Sequence, residues 1–353
     1  MKIKKQTIYF IYAALLFINS NSFAQKTNDY ISSIDSLIKT TNIRKFNGVI
    51  VIAENGVAKY TKAYGFANFE KKTPLQAQDY FKIMSNSKQI TAALLLREVD
   101  KGKIDLRSPI KKYLPFLTES WADSVTVHQL LNHTHGILAL DKPLLFKPGT
   151  NFKYGNISNV LLGKIIEFSS KKTYNQMADS LFASLKMKHT FAYAKDNKRA
   201  IVSGYTNKEG VFKAVKTLQI TTDSTPADGI ITTASDLVIW NSNLHKGKIL
   251  KPETYNLMVS ETVLAQHDSF GKAKCGYGYG IRVNNNGKTK YIGHTGLGDG
   301  FASLNVYFPK SKISVIVLEN QMNDKIELAY YFGNEIKNII LKQENSKDYE
   351  NKN

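Results

Sequence analysis

Hydrophobic and polar positions along this chain predict β-strands near both ends and helices between them. In residues 46–68, FNGVIVIAENGVAKYTKAYGFAN, the two classes alternate on either side of Glu-Asn-Gly at 54–56, which is the pattern of a β-hairpin. Four further runs of strand character follow between 276 and 319, with a turn at NNNG. From 105 to about 225 the pattern indicates short helices and loops without a convincing strand.

Apolar residues that recur every three to four positions predict a series of helices. Gly102 is the expected C-terminal cap of one of them. The predicted helices cover 28–41, 83–101, a segment that opens at Thr126, 157–168, 174–185, 234–247 and about 325–341. The last residues, QENSKDYENKN at 343–353, are polar and predict a disordered tail.

This order of elements predicts a mixed α/β (α+β) fold. One antiparallel sheet would be assembled from both chain ends and flanked by helices, with an inserted, mostly helical lobe. Residues 25–104 and 226–342 would form the sheet lobe of a single catalytic domain, and residues from about 105 to 225 the helical lobe. A cleft between the two lobes would be a usual place for a site.

The first residues have the features of an export signal. Three lysines precede an apolar stretch over 8–18, and Ser-Phe-Ala at 22–24 is a small-x-small cleavage site. A membrane anchor is the alternative, but a spanning helix needs roughly 20 apolar residues. We therefore expect 1–24 to be a cleaved signal peptide. The mature chain, from about Gln25, would be periplasmic or secreted and without a stable membrane span.

The charge and cysteine content of the chain indicate which kinds of partner and cross-link to expect. The chain carries 48 Lys and Arg against 29 Asp and Glu, but the lysines are scattered and no nucleic-acid motif appears. A solvated basic surface facing an anionic envelope explains the charge better than a nucleic-acid partner does. Cys275 is the single cysteine, so the chain cannot form an internal disulfide, and we interpret this residue as structural.

Candidate chemistry begins with a serine and a lysine three positions apart. Chance alone predicts about three Ser-x-x-Lys matches in a chain of this composition. The five matches are Ser36/Lys39, Ser85/Lys88, Ser108/Lys111, Ser169/Lys172 and Ser269/Lys272. Among them, only Ser85 stands where a loop enters a helix, followed by the apolar run ITAALLL. Positions i and i+3 share a helical face, so Lys88 can reach the Ser85 hydroxyl, and a helix start offers free N–H groups to an oxyanion.

Two further elements that should accompany such a pair follow in order. Tyr154-Gly155-Asn156 precedes a predicted helix, and His294-Thr295-Gly296 lies on a predicted strand. Each has a decoy. The first decoy is Tyr205-Thr206-Asn207 in a polar loop, and the second is His245-Lys246-Gly247 at a helix end.

In this order and context the three elements resemble the serine β-lactamase-related family, which includes class C β-lactamases, D-alanyl-D-alanine carboxypeptidases, D-aminopeptidases and esterases. HQLLNHTHGI is similar to the family's Leu-Leu-x-His-Thr-Ser-Gly segment, and TPADGIITTASDLVIW to its Pro-Ala-Gly-Gly segment. His135 replaces the usual Ser and Asp228 the usual first Gly. Both departures are expected to lie outside the reacting triad.

The resemblance implies a β-lactamase/transpeptidase-like fold, a role for each matching residue, and no metal or cofactor. Ser85 would be the nucleophile, Lys88 its base or proton relay, and Tyr154 the group that passes the proton to the leaving group. Asn156 would hold Lys88 and a substrate carbonyl. His294 stands where many members carry Lys. The remaining residues implied at the substrate and oxyanion site are Thr295, Gly296 and Leu297, the last through its backbone N–H together with that of Ser85.

Alternatives accompany several of these residues. His128, His133 and His135 could suggest zinc, but no carboxylate or Cys cluster with metal-site spacing follows, so packing and hydrogen bonding are favoured. Tyr154 could be a core aromatic and Asn156 a helix cap. We expect His294 to be mostly neutral and to act as a hydrogen-bond relay to Ser85 or Tyr154, instead of anchoring a substrate carboxylate.

Two hypotheses for function remain. The first is an exported serine hydrolase that forms an acyl-enzyme on Ser85, with D-amino-acid peptides, esters or β-lactams as substrates. The second is a non-hydrolytic penicillin-binding protein or sensor of cell-wall peptides on the same fold. The presence of all four of Ser85, Lys88, Tyr154 and His294 favours the enzyme, because a pure binder has no need of them.

Overall fold

The structure is a computed structural model that describes residues 29–40, 43–216, 220–265, 269–271, 274–285 and 287–350. The expected signal peptide at 1–24 lies outside these residues. Within them, residues 46–337 form one compact unit, and the residues before 46 and after 337 form a second. None of the helices in the described ranges combines the length and apolar character needed to cross a membrane.

The strands of the described residues are, in chain order, β1 (Gly48–Glu54), β2 (Val57–Tyr64), β3 (Phe66–Asn68), β4 (Thr73–Pro74), β5 (Phe81–Lys82), β6 (Phe191–Ala192), β7 (Tyr205–Lys208), β8 (Val211–Ala214), β9 (Ile230–Thr232), β10 (Val263–Leu264), β11 (Gly276–Tyr277), β12 (Arg282–Asn284), β13 (Tyr291–Gly298), β14 (Phe301–Phe308), β15 (Ile313–Glu319) and β16 (Gln321–Met322).

The helices of the same ranges are α1 (Asp29–Thr40), α2 (Ser87–Asp100), α3 (Val127–Leu131), α4 (Ile157–Ser170), α5 (Tyr174–Ser184), α6 (Thr225–Asp228), α7 (Ala234–His245), α8 (Pro252–Met258), α9 (Ile326–Ala329) and α10 (Tyr331–Glu350).

Both ends of the 46–337 unit contribute to one eight-stranded antiparallel sheet, as predicted. Its strand order is β10-β11-β12-β13-β14-β15-β1-β2. The early hairpin β1–β2 joins the late strands through β1 and β15, with Gly48 opposite Glu319. The residues of β13, β14 and β15 are almost all buried, which explains their continuous apolar character.

Helices cover both faces of this sheet. On β14, Asn305 exchanges side-chain hydrogen bonds with Asn241 of α7, while the preceding Leu304 lies against Gly333 in the first turn of α10. Because successive side chains of a strand point to opposite faces, α7 and the start of α10 lie on opposite sides of the sheet. The flanking helices predicted from the sequence are therefore confirmed.

Helix α2 is at the centre of the helical packing. It contacts α4, α5, α6 and α8, and most of its residues are buried on every side. The helix predicted over 83–101 also includes the residues just before α2. In the structure that stretch is a separate 3-10 turn, Met84–Asn86, and α2 itself begins at Ser87. At its C-terminal end Gly102 has a φ of 71°, as expected of a helix cap.

Two predictions about the element pattern were wrong. The segment expected to lack strands contains β6 and the hairpin β7–β8, so the first decoy, Tyr205-Thr206-Asn207, lies on a strand and not in a loop. Its polar residues conceal the strand, which is stabilised by pairing with β16. Helix α10 continues to Glu350, through most of the expected disordered tail, and residues 343–350 contain no Gly or Pro that would interrupt it.

Candidate active site

Ser85 is held by a strained turn between β5 and α2. Met84, immediately before it, has a φ of 48°, a left-handed conformation that is uncommon for a residue other than glycine. Ser303 of β14 stabilises this turn, because its Oγ donates to the Ile83 carbonyl at 2.8 Å and accepts from Asn86 Nδ2 at 2.7 Å. The turn leaves Ser85 half-buried between buried neighbours. Strain concentrated at one residue beside a hydroxyl is typical of a functional site.

Lys88 is fully buried one turn after Ser85, and its ammonium nitrogen is surrounded by oxygen atoms. Nζ lies 2.8 Å from Ser85 Oγ, 2.8 Å from Asn156 Oδ1 and 3.2 Å from the Ala227 carbonyl oxygen. The carboxylate of Asp228 is 3.3 Å away. A buried lysine requires such partners, because burial of an unpaired charge is costly. The spacing of Ser85 and Lys88 in sequence therefore corresponds to a direct hydrogen bond.

Asn156 occupies the N-cap position of α4 but does not cap the helix. Its Oδ1 accepts from Lys88, and its Nδ2 donates to Asp228 Oδ2 in a short hydrogen bond. The alternative that Asn156 is an ordinary helix cap is thus contradicted. The side chain instead connects the lysine to the carboxylate.

Asp228 lies inside the reacting group, contrary to the expectation that it would lie outside. The Ser85 hydroxyl donates to Asp228 Oδ1 at 2.9 Å. The short helix α6 ends at this residue and is fixed against α2, since Thr91 Oγ1 donates to the Pro226 carbonyl at 2.6 Å. The signal was present in the sequence as the departure from the family's glycine, but only the docking of α6 shows where the carboxylate points.

Tyr154 and His294 form the next layer of the site. Lys88 Nζ is 5.1 Å from the centroid of the Tyr154 ring, and the His294 ring stacks on Tyr154 with centroids 6.0 Å apart. His294 Nδ1 is 2.6 Å from the Thr295 carbonyl oxygen, so it donates there, and Nε2 accepts from the Tyr277 hydroxyl at 3.1 Å. Both ring nitrogens are therefore occupied. The expected direct relay from His294 to Ser85 or Tyr154 is not present in this structure.

Electrostatics keep His294 neutral. Burial is the largest cause, and the nearby positive charges of Arg282 and Lys88 add to it, so the pKa of His294 lies well below its ordinary value. This agrees with the expected neutral imidazole. A neutral His294 cannot supply the permanent positive charge that a lysine would supply at this position.

Arg282 is a functional candidate that the sequence analysis missed. It lies on β12, almost fully buried, with its guanidinium carbon 5.6 Å from the ring centroids of both Tyr154 and Tyr277. Because arginine stays protonated in proteins, it brings a permanent positive charge to the His294 side of the site. The three-residue strand Arg-Val-Asn has no pattern that distinguishes a buried arginine from a solvated one.

The histidines of HQLLNHTHGI bond to protein groups. His133 lies within hydrogen-bonding distance of Tyr277 and Ser158, and His128 Nδ1 is 2.6 Å from the Tyr279 hydroxyl. His135 Nδ1 accepts the Ile137 backbone N–H at 2.9 Å, and burial lowers the pKa of His135 to about 4. Within the described ranges, no three His, Cys, Asp or Glu side chains are arranged to hold a metal ion.

Strand β13 brings the last predicted residues beside Ser85. It packs against the Met84–Asn86 turn. A Cβ on Gly296 would lie 2.1 Å from the Ile83 carbonyl oxygen, so only glycine allows this approach. Thr295 and Leu297 flank that glycine on the strand. The oxyanion role of the Leu297 N–H stays a prediction, supported by this proximity.

Together these contacts suit nucleophilic acyl transfer. A half-buried serine hydroxyl lies between a lysine and a carboxylate, with a tyrosine ring beside the lysine and β13 packed against the serine turn. An activated serine of this kind can split acyl transfer into acylation and deacylation.

Comparison with known proteins agrees with this geometry. A curated relative, Protein flp of Staphylococcus aureus (strain MW2), is 26% identical over 344 residues, covering 88% of this chain and 68% of the relative. A solved octameric penicillin-binding protein homologue from Pyrococcus abyssi is 25% identical, with a TM-score of 0.70, covering 84% of this chain and 73% of that one. D-amino acid amidase from Ochrobactrum anthropi SV3, solved with L-phenylalanine amide, superposes with a TM-score of 0.74 at 22% identity, covering 91% and 99%.

The sequence also matches the family described as Beta-lactamase over residues 34–331, which includes Ser85, Lys88, Tyr154 and His294. This match spans most of the chain and confirms the resemblance seen in the motifs. The chain belongs to the Beta-lactamase family.

Proposed function

We propose that this protein is an exported serine hydrolase that forms an acyl-enzyme on Ser85. The observation that carries the proposal is the 2.8 Å contact between Lys88 Nζ and Ser85 Oγ, in a site where Asn156 holds the same lysine at 2.8 Å. A hydroxyl held in this way by charged groups is prepared for nucleophilic attack. The family match and the relatives named above support a hydrolase of this type.

For the substrate, we propose acyl compounds of D-amino acids, as amides, peptides or simple esters, ahead of β-lactams. The similarity to a D-amino acid amidase supports this class. The neutral His294 supports it as well, because the position where many members carry a cation holds no charge here. A substrate carboxylate, where present, would then depend on Arg282.

Export is part of the proposal and rests on the first residues of the sequence. The lysines, the apolar stretch over 8–18 and the Ser-Phe-Ala site at 22–24 are features of a cleaved signal. Expression with its own N-terminus in a Gram-negative host should yield mature protein in the periplasmic fraction or the medium. Intact-mass measurement should place its first residue near Gln25. Cytoplasmic protein that retains residues 1–24 would contradict export.

Covalent labelling tests the nucleophile. A fluorophosphonate probe should label the wild type, and peptide mass spectrometry should find the adduct on Ser85. Ser85→Ala should abolish labelling. Ser36→Ala is the matched control, since Ser36 also belongs to a Ser-x-x-Lys match but is exposed on α1, and this variant should label normally. An adduct on any other serine would refute the assignment.

A substrate panel on the purified mature protein tests the class. It should contain a D-amino-acid amide and its L-enantiomer, a D-Ala-D-Ala peptide, a p-nitrophenyl ester and a chromogenic cephalosporin. We expect turnover of the D-amide or the ester above that of the cephalosporin. Labelling of Ser85 without turnover of any of these compounds would instead favour the penicillin-binding sensor.

A further inference from the structure

A carboxylate touches the nucleophile in this chain at a position where the Pro-Ala-Gly-Gly segment of similar proteins has glycine. Asp228 Oδ1 accepts the Ser85 hydroxyl at 2.9 Å, and the same oxygen lies 3.3 Å from Lys88 Nζ. We infer that Asp228 is a further catalytic residue. It accepts the Ser85 proton, while Lys88 stays an ammonium ion that stabilises the charges around it.

The inference rests on matching the hydrogen-bond donors and acceptors around Lys88 and Ser85. Besides Ser85 and Asp228, Lys88 faces Asn156 Oδ1 and the Ala227 carbonyl, and these two oxygens can only accept. An ammonium group has donors for such a set. If it donates to Ser85 Oγ, the single Ser85 proton is free to point at Asp228. In this assignment the three ammonium protons go to Ser85 Oγ, Asn156 Oδ1 and the Ala227 carbonyl, and the Ser85 proton goes to Asp228. The longest contact, 3.3 Å from Nζ to Asp228 Oδ1, is then an ion pair without a proton of its own.

The opposite assignment leaves a charge unsatisfied. If Lys88 were a neutral amine acting as base, the Ser85 proton would point to its lone pair. Asp228 would then lose its bond from Ser85 and the ammonium beside it, keeping only the bond from Asn156 Nδ2. Asp228 is only 9% exposed, so water cannot readily replace those partners. A buried carboxylate with too few donors is costly.

The chemical step balances without any further reagent. As Ser85 Oγ bonds to the acyl carbon, its proton passes to Asp228 Oδ1, and the carbonyl π electrons move to the oxyanion. When the bond from carbon to the leaving group breaks, this proton equivalent is delivered to the leaving group, through Tyr154 or directly. In deacylation a water molecule gives a proton to Asp228 and its oxygen to the acyl carbon. Asp228 then returns the proton to Ser85 Oγ.

Several elements place charged or titratable groups around this carboxylate. Lys88 faces it from α2, and Tyr154 and Arg282 belong to the same cluster. Tyr330, just before α10, is buried, and burial raises its pKa, with the charge of Asp228 contributing a smaller increase. The nearest of these groups is Lys88, whose Nζ lies 3.3 Å from Asp228 Oδ1.

The test isolates proton removal from Ser85. This inference rests on the proposed nucleophile, so it uses the fluorophosphonate reaction on the full mature protein. That reaction forms the bond from Ser85 Oγ to phosphorus and expels fluoride, which needs no proton from Tyr154. The second-order labelling rate is measured from pH 5.5 to 9.5 in the wild type, Asp228→Asn and Asp228→Gly. Asp223→Asn is the control, since it makes the same change of charge on an exposed side chain nearby.

With a carboxylate as the proton acceptor, we expect the wild-type rate to be nearly level between pH 6 and 9. Asp228→Asn and Asp228→Gly should react at least about 10²-fold more slowly at pH 7, the usual contribution of a general base. Their remaining rate should rise toward alkaline pH, where another base has to take the Ser85 proton. Asp223→Asn should match the wild type.

Other results would overturn the inference. Wild-type rates and the wild-type pH profile in either Asp228 variant would exclude Asp228 as acceptor, as would a faster Asp228→Gly enzyme at pH 7. If circular dichroism shows that the variants do not fold, the wild-type profile decides, since a rate that climbs continuously to pH 9.5 would assign the base to Lys88. Absence of any Ser85 adduct in the wild type would refute the nucleophile itself, and the inference with it.

Discussion

Asn156 occupies the N-cap position of α4, and its amide oxygen is 2.8 Å from Lys88 Nζ instead of bonding to the helix backbone. A side chain at a helix start usually satisfies one of the free N–H groups there. Here the Asn156 amide bonds to Lys88 and Asp228 instead, so no side chain caps the start of α4.

This relationship predicts that Asn156→Ala costs activity more than stability. The variant removes an acceptor from Lys88 and a donor from Asp228, so turnover should fall at least about tenfold, while the free energy of unfolding drops by about 1 kcal/mol. Thr126→Ala is the control, because Thr126 does cap α3. It should lose about 1 kcal/mol with unchanged turnover. Equal turnover losses in both variants would show that Asn156 acts only through folding.

Tyr154→Phe should separate the hydroxyl of this residue from its ring. The ring beside Lys88 and His294 is retained, so the variant should fold normally. Its kcat on a D-amino-acid amide should fall about 10²–10⁴-fold, the usual contribution of a general acid. An activated ester should change little, because its leaving group needs little protonation.

Tyr279→Phe is the matched control for that experiment. It removes a hydroxyl bonded to His128, outside the contacts of Ser85 and Lys88. We expect near-normal amide turnover in this variant. Near-normal turnover in Tyr154→Phe as well would exclude Tyr154 as the proton donor.

Carboxylate recognition should depend on Arg282 and not on His294. Arg282→Gln should raise KM for a D-peptide with a free carboxylate about tenfold, while KM for a neutral D-amino-acid amide changes little, since a charged hydrogen bond is worth about 1.5–3 kcal/mol. Comparing both substrates in one variant removes any general effect of destabilisation. Equal changes in the two KM values would contradict this role.

The same recognition should be independent of pH in the wild type. The pKa of His294 lies well below its ordinary value, so the imidazole gains no charge between pH 6 and 9. KM for the carboxylate substrate should therefore be flat over this range. Tighter binding on mild acidification would show that His294 titrates in contact with the substrate.

Buried His135 should make stability fall in acid. Its pKa is lowered from 6.5 to about 4 by burial, so the unfolded chain binds a proton in this range that the folded chain does not. The contribution is fully present above pH 6.5 and is lost as pH falls toward 4. At 1.36 kcal/mol per pKa unit, the loss from pH 7 to 4.5 is about 2 kcal/mol.

His135→Ser tests this by restoring the residue common in similar proteins. Urea unfolding at pH 7 and pH 4.5 should show a pH-dependent loss about 2 kcal/mol smaller in the variant than in the wild type. The comparison uses the difference in the free energy of unfolding between the two pH values within each protein. A loss of stability from a cavity left by the substitution is the same at both pH values and therefore cancels. An unchanged difference would mean that His135 is protonated in the folded state.

Prediction from the sequence succeeded where the periodic pattern was strong. The alternating residues of β1 and β2 and the apolar runs of β13 to β15 identified the sheet, and the helix start predicted at Thr126 agrees with the N-cap of α3. It failed where tertiary contacts decide. Polar β7 is a strand because β16 pairs with it, and the direction of the Asp228 carboxylate depends on how α6 docks on α2.

In the candidate site, too, some residues could be predicted from the sequence and others depend on tertiary contacts. Order along the chain brought Ser85, Lys88, Tyr154 and His294 into one hypothesis, and the structure places all four in one cluster. Arg282 and Tyr277 could not be found in this way, because each lies on a strand of two or three residues whose burial depends on its neighbours. The hydrogen-bond partners of His294 could not be predicted from the sequence either. The Tyr277 hydroxyl and the Thr295 carbonyl reach its ring only through the geometry of the folded strands.

The pairing of β1 with β15 has a consequence for how this chain reaches its folded state. The edge of β1 that faces β15 stays unsatisfied until the last part of the chain is available, because its partner lies nearly at the other end of the sequence. Closing such a long loop is slow, and an open strand edge invites association with other chains. A chain released before residue 319 would expose that edge, so truncated products should aggregate instead of folding partially.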